Sequence, residues 1–219
     1  MNVDRIVRLA DIFYAIAVKS EDLPENSDDP ETILKNLSKL ETFKARVDYA
    51  EKNLKHLSSG SSRVIYVLPD KTVLKLAKND RGVAQNKVES EPGMKSKYIN
   101  KTLKADKDGV WRISPFLDKI TEKEFEKMTG VSFKDFGEAL GYGLKSVSDN
   151  SDKKKPDDFE DISKLDIYKE LVEIGKKYEL LPGDLERISS WGQVDDHPIV
   201  LDAGLTRDIY DEFYETSSS

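Results

Sequence analysis

Apolar positions along this chain follow three patterns in turn. Over residues 3–19, Ile6, Leu9, Phe13 and Ile16 recur at helical spacing, with Arg5, Arg8 and Asp11 elsewhere on the turn, which predicts an amphipathic helix. Such a helix either packs on its own domain or docks on a protein partner. Residues 20–31 are polar and acidic with two prolines and read as a linker. A second helical pattern runs from about Glu31 to Lys52, with Ile33, Leu37, Leu40, Phe43 and Val47 on one side.

The period then changes. VIYVL (64–68) and TVLKLA (72–77) are short β-branched runs separated by Pro69, Asp70 and Lys71, the signature of a hairpin. A helix is expected from Gly82 to Glu91, ended by Pro92 and Gly93. VWRISPFL (110–117) reads as another strand leading into an extended connection. Thr121 with Glu124 three residues later makes a capping box for a helix through Met128, which Gly130 stops. Further helices are expected at 132–147 and 162–180, joined by the charged loop 148–161, and a short strand at PIVLDAG. Strands and one helix in the middle, followed by helices, predict an α+β fold with a small sheet lobe and a helical lobe.

Composition narrows the functional classes. The net charge of −7 and pI near 5.1 argue against a nucleic-acid binder acting through whole-protein charge. The absence of cysteine excludes disulfides and thiolate metal sites. Two histidines, His56 and His197, make no convincing zinc site. No apolar run has the length to span a bilayer, and the charges at Asp4, Arg5, Arg8 and Asp11 argue against a signal peptide. A soluble protein of the cytoplasm is expected.

Four features carry candidate chemistry. LSSGSSRVIY (57–66) is a small-residue loop entering a strand. It is either an ordinary turn or a place where backbone N–H groups approach phosphates. Lys75 sits inside the apolar run VLKLA, where its charge must be paired or solvated. It either snorkels from an edge or holds phosphates, with Glu89 or Glu91 as its carboxylate partner. Asp184, in LLPGDLERISSWG, follows a Pro-Gly turn and is either a cap or a catalytic-loop aspartate. Asp202, in HPIVLDAGLT, ends an apolar run beside Gly204, a suitable place to hold a metal ion at a phosphate.

The order of these features resembles that of protein kinases. Ser58, Gly60 and Arg63 stand where the three glycines of the nucleotide loop would be, and Ile65 where its valine would be. Lys75 matches the strand lysine, and Asp202-Ala203-Gly204 replaces Asp-Phe-Gly, 18 residues after Asp184. The segments SSGSSRVIY, VLKLAKNDRGVAQNKVESE, DLERISSWG and VLDAGLT resemble kinase-like proteins encoded by tailed bacteriophages; the resemblance covers roughly 41–210. It implies a truncated protein-kinase-like fold: an N-terminal helical extension and linker at 1–40, a sheet lobe at 41–114 and a reduced helical lobe at 115–219. It also implies ATP and Mg²⁺ as ligands. Ser58, Gly60, Ser61, Lys75 and Glu89 would bind the nucleotide, Lys75 and Asp184 would serve catalysis, and Asp202 with Ser189 would bind the metal.

The departures are specific. One loop glycine of three remains, serine replaces asparagine at position 189, Pro182-Gly183 stands in place of His-Arg, and fifteen residues follow Gly204, too few for an activation segment. They point to a kinase-like nucleotide-binding protein with weak or absent phosphoryl transfer, a pseudokinase or virion-associated module. The alternative is an active small ATP-dependent kinase acting on a protein or small-molecule hydroxyl. A purely structural protein gives no reason to keep Lys75, Asp184 and Asp202 in such apolar surroundings.

Overall fold

The structure, a computed structural model, describes residues 29–148 and 152–214. The predicted helix at 3–19 and most of the linker lie outside the described residues. Two helices come first, α1 (Pro30–Lys39) and α2 (Phe43–Asn53). The single helix expected over 31–52 is therefore divided. Thr42 accepts from the Ala45 N–H at 3.1 Å and so caps a second helix, which turns the chain and lets both helices reach the sheet.

That sheet has five antiparallel strands in the order β1-β2-β3-β5-β4. They are β1 (Lys55–Ser59), β2 (Arg63–Val67), β3 (Thr72–Ala77), β4 (Lys104–Ala105) and β5 (Trp111–Pro115). The hairpin expected at 64–77 is β2–β3. The small-residue loop is the turn between β1 and β2, the first of which the sequence pattern did not reveal.

Strand alternation divides the side chains between two faces. Val64, Tyr66, Leu74, Leu76, Trp111 and Ile113 form one core with Ile33, Leu34 and Leu37 of α1. Helix α1, expected in the N-terminal extension, thus packs in the core of the sheet lobe. On the opposite face Ile65 pairs with Lys75, and Lys75 with Arg112, so Arg63, Lys75 and Arg112 share one side. Helix α3 (Asp80–Ser90) covers it, capped by Asn79, with Gln85, Asn86 and Glu89 buried.

Strand β5 continues through Phe116 and Leu117 into the second lobe, where β6 (Asp118–Lys119), β7 (Trp191–Val194) and β8 (His197–Val200) form a three-stranded antiparallel sheet. Around it lie α4 (Glu122–Thr129), α5 (Phe133–Gly143), α6 (Phe159–Ile162), α7 (Asp166–Lys177), the short α8 (Pro182–Leu185) and α9 (Arg207–Phe213). The capping box of Thr121 and Glu124 is present, and Gly130 ends α4 at φ 79°. The helix expected over 162–180 is α7 alone, with α6 formed inside the charged loop because Phe159 packs edge-on against Tyr142 and Tyr168. Trp191 is fully buried. Its ring meets Phe125, Phe133 and Phe136 at 5.3–6.0 Å, and its Nε1 donates to the Leu185 carbonyl at 2.9 Å. It thus fixes the Asp184 segment to the small sheet.

Met94, Tyr98 and Ile99, after α3, pack with this second core. The result is the α+β arrangement that the resemblance implied, a small sheet lobe plus a helical lobe. Among the described residues no helix is long and apolar enough to cross a membrane.

Candidate functional site

The face of the sheet that carries Arg63, Lys75 and Arg112 would be costly if left unpaired, because each is a nearly dry cation. Glu89 of α3 answers all three. Lys75 Nζ donates to its Oε2 at 2.8 Å, Arg63 Nη1 to its Oε1 at 2.9 Å, and Arg112 Nη1 also to Oε2. Glu91, the alternative partner for Lys75, is exposed at the end of α3. Arg112 is held further by the Thr102 hydroxyl, 3.0 Å from its Nε. That hydroxyl in turn donates to the Glu89 carbonyl at 2.8 Å.

Burial alone would raise the Glu89 carboxyl, but Arg63, Lys75 and Arg112 together hold it well below the usual carboxylate range. Burial pushes the Lys75 ammonium down, opposed by Asp202 and Glu89.

Asp202 follows β8. Leu201 N–H donates to the Ser190 carbonyl at 2.7 Å, and Lys75 Nζ donates to the Leu201 carbonyl at 2.7 Å. The Asp202 carboxylate lies 3.9 Å from Lys75 Nζ and accepts from Arg63 Nη2. Gly204 allows this approach. A Cβ there would sit 2.9 Å from both the Gln85 carbonyl and Glu89 Oε1.

Asp184, in the first turn of α8, lines the same cavity as Asp202. Burial, and then the neighbouring Asp202, raise its carboxyl above the ordinary value, against the pull of Arg187. Pairing of Leu181 N–H with the Leu205 carbonyl at 3.0 Å ties this segment to the one after Gly204.

Two cavities meet at Gly60 and Asp202. The larger, about 950 Å³, includes Gly60, Ser61, Asp184, Arg187, Asp202 and Tyr210 in its walls. The smaller, about 410 Å³, is an apolar slot between Leu57, Ile65 and Val73 above and Leu117 and Leu201 below. Ser58, Lys75 and Ser189 open into it. Every site residue expected from the sequence therefore borders one of these cavities or, as Glu89 does, holds one that does.

The turn between β1 and β2 is pinned to α3. Ser62 Oγ donates to Gln85 Oε1 at 2.6 Å, and Lys78 Nζ, between β3 and α3, donates to the Gly60 carbonyl at 2.6 Å. The turn needs no left-handed residue, since Gly60 has no positive φ, which is how it is made with one glycine instead of three.

The magnesium ion implied by the resemblance does not fit these residues. One Asp202 oxygen is engaged by Arg63, and position 189 offers only a hydroxyl, a weaker ligand than an amide carbonyl. Sequence reasoning also passed over Arg63 and Arg112 as site residues. Both carried the signal that singled out Lys75: a charge on the same face of an apolar strand, in SSRVIYV and VWRIS.

No protein family profile and no curated protein matches the chain. Among solved structures it is similar to that of the streptomycin-ATP-APH(2")-IIa ternary complex, at 13% identity over 76% of this chain and 73% of that one, with a TM-score of 0.33. An overlap this loose leaves the fold to be read from the chain's own elements.

Proposed function

We propose that this chain binds an ATP-type nucleotide in the cleft between its lobes and transfers phosphate weakly or not at all. One observation supports this most: Lys75, buried with 3% exposure, is held by Glu89 at the point where an apolar slot meets a polar cavity. The slot has the size and lining of a base-binding site, with Ser58 on its wall. Lys75 lies where the phosphates would follow, and Gly60 and Ser61 form the turn above them. An acceptor hydroxyl entering the larger cavity would meet Asp184 in its wall. Weak transfer follows from Ser189 and from the Arg63 hold on Asp202, because catalysis of this kind depends on charge stabilisation at the phosphates. The wording of the four segments quoted above supports a phage origin, and the amphipathic pattern of residues 3–19 supports a protein partner bound through that segment.

One observation favours an active kinase as second reading. The raised Asp184 carboxyl suits a group that accepts the proton of a protein or small-molecule hydroxyl while the γ-phosphoryl moves to that oxygen and ADP leaves.

Thermal unfolding with ATP tests binding. A ligand at 100 times its Kd stabilises by about 2.7 kcal/mol, so millimolar ATP is expected to raise the midpoint by roughly 5–10 °C, and Lys75→Met is expected to lose most of that shift. No shift in wild type, or an equal shift in Lys75→Met, contradicts the proposal. Turnover of about 1–100 per second that disappears in Asp184→Ala establishes the second reading instead.

A further inference from the structure

Arg63 leaves the first residue of β2 and reaches across the cleft floor with its side chain 5% exposed. It donates to Asn86 Oδ1 at 3.2 Å, to Glu89 Oε1 at 2.9 Å and to Asp202 Oδ1. Asp202 is different: its side chain is 40% exposed, and it borders both cavities. Arg63 therefore covers from behind Asp202, the carboxylate that borders both slot and cavity.

The charges balance accordingly. Arg63, Lys75 and Arg112 face Glu89 and Asp202, three cations against two carboxylates, which leaves one positive charge in this cluster, while Asp184 is paired with Arg187 at 3.6 Å. Without Arg63 the sum is zero, and Asp202 would meet an incoming polyanion with only Lys75, 3.9 Å away, to screen it. A divalent ion at Asp202 would have to displace a guanidinium that is already desolvated and whose planar fork is fixed by three acceptors, an unfavourable exchange for a buried charge.

Resting on the nucleotide reading above, we infer that Arg63 takes over the charge-neutralising role of a metal ion, so that the cleft binds the metal-free nucleotide triphosphate. The chemical form of the ligand is thereby specified: the free polyphosphate anion, held against Lys75 and screened from Asp202 by Arg63. Lys75 binds it as a point charge, and the guanidinium cannot be lost by deprotonation near neutral pH.

Isothermal titration of the full chain with ATP, once in EDTA and once in excess Mg²⁺, tests this. ATP is expected to bind at least about tenfold more tightly in EDTA than in excess Mg²⁺, which withdraws the free anion. Binding equal in the two buffers, or weaker in EDTA, overturns the inference and leaves the nucleotide site standing. Binding in neither buffer removes the nucleotide reading, and the inference with it. Arg63→Gln is expected to convert the site to metal dependence, binding at least about tenfold more weakly in EDTA than in Mg²⁺; equal binding of this variant in both buffers denies Arg63 its role. Where Arg63→Gln does not fold, Asp202→Asn decides. Removing the carboxylate is expected to tighten binding in EDTA, whereas a loss of affinity confined to the Mg²⁺ buffer identifies Asp202 as a metal ligand and overturns the inference.

Discussion

Glu89 holds three buried cations with one carboxylate, and this asymmetry sets the effect of each substitution. Glu89→Ala leaves Arg63, Lys75 and Arg112 facing one another without their shared partner. Breaking a buried charge pair from one side costs about 3–5 kcal/mol, and a domain of this kind has about 5–15 kcal/mol in all, so the variant is expected to be close to unfolded in urea titration. Lys75→Met leaves Glu89 with both arginines and puts an apolar chain in an apolar strand. Its stability is expected within about 1 kcal/mol of wild type, although nucleotide binding is lost. Equal destabilisation by the two variants would contradict this division of roles. The Glu89 contribution also has a defined pH dependence. Its folded pKa lies below the unfolded value of about 4.3, so the stabilisation is complete above that pH and is lost as pH falls through the folded value.

At the scale of elements, helix α3 is the part on which the site is assembled. It touches the β1–β2 turn at Gly82, where a Cβ would lie 2.2 Å from the Ser62 carbonyl, and the segment after β8 at Gly204. Gly204→Ala is expected to push α3 outward, lowering stability by about 1–3 kcal/mol and weakening ATP binding, both measurable by thermal unfolding. Gly60→Ala has nothing nearer than 3.8 Å and is expected to change stability by no more than about 0.5 kcal/mol. A severe loss in Gly60→Ala would show that the turn needs its remaining glycine after all.

Much at this scale was legible in the sequence where local rules decide. The β2–β3 hairpin, the capping box of α4 and its stop at Gly130 follow from turn and cap chemistry near each residue. The break at Thr42 has a local cause, its N-cap bond to Ala45, which the helical periodicity on both sides concealed, whereas the strand at Lys55–Ser59 did not show because it depends on its pairing with β2. α3 was legible from its stop at Pro92 and Gly93 more than from its pattern, since its buried face is Gln85, Asn86 and Glu89, polar residues that only Arg63, Lys75 and Arg112 make intelligible.

At the scale of the molecule, two cores lie on either side of one cleft. α1 and α2 close the outer face of the first sheet, and Trp191 joins helices and sheet in the second lobe. The connection through Phe116 and Leu117 runs along the slot, and the chain beyond Gly204 forms α9, which packs near α3, with Arg81 over the Tyr214 ring at 4.5 Å. The order of Lys75, Glu89, Asp184 and Asp202 along the chain was enough to expect one cleft. The Arg63 link to Asp202, made across 139 residues, was not legible, because nothing local to either residue announces it.

The central claim is that a nucleotide lies between the lobes, its base in the slot and its phosphates at Lys75. Amide hydrogen exchange of the full chain with and without saturating ATP tests it most directly. The account predicts slowed exchange in three separated segments, 57–62, 114–119 and 189–202, all of which border this cleft, and no such change in Lys75→Met. Unchanged exchange in all three segments, or protection confined to another surface, would contradict it.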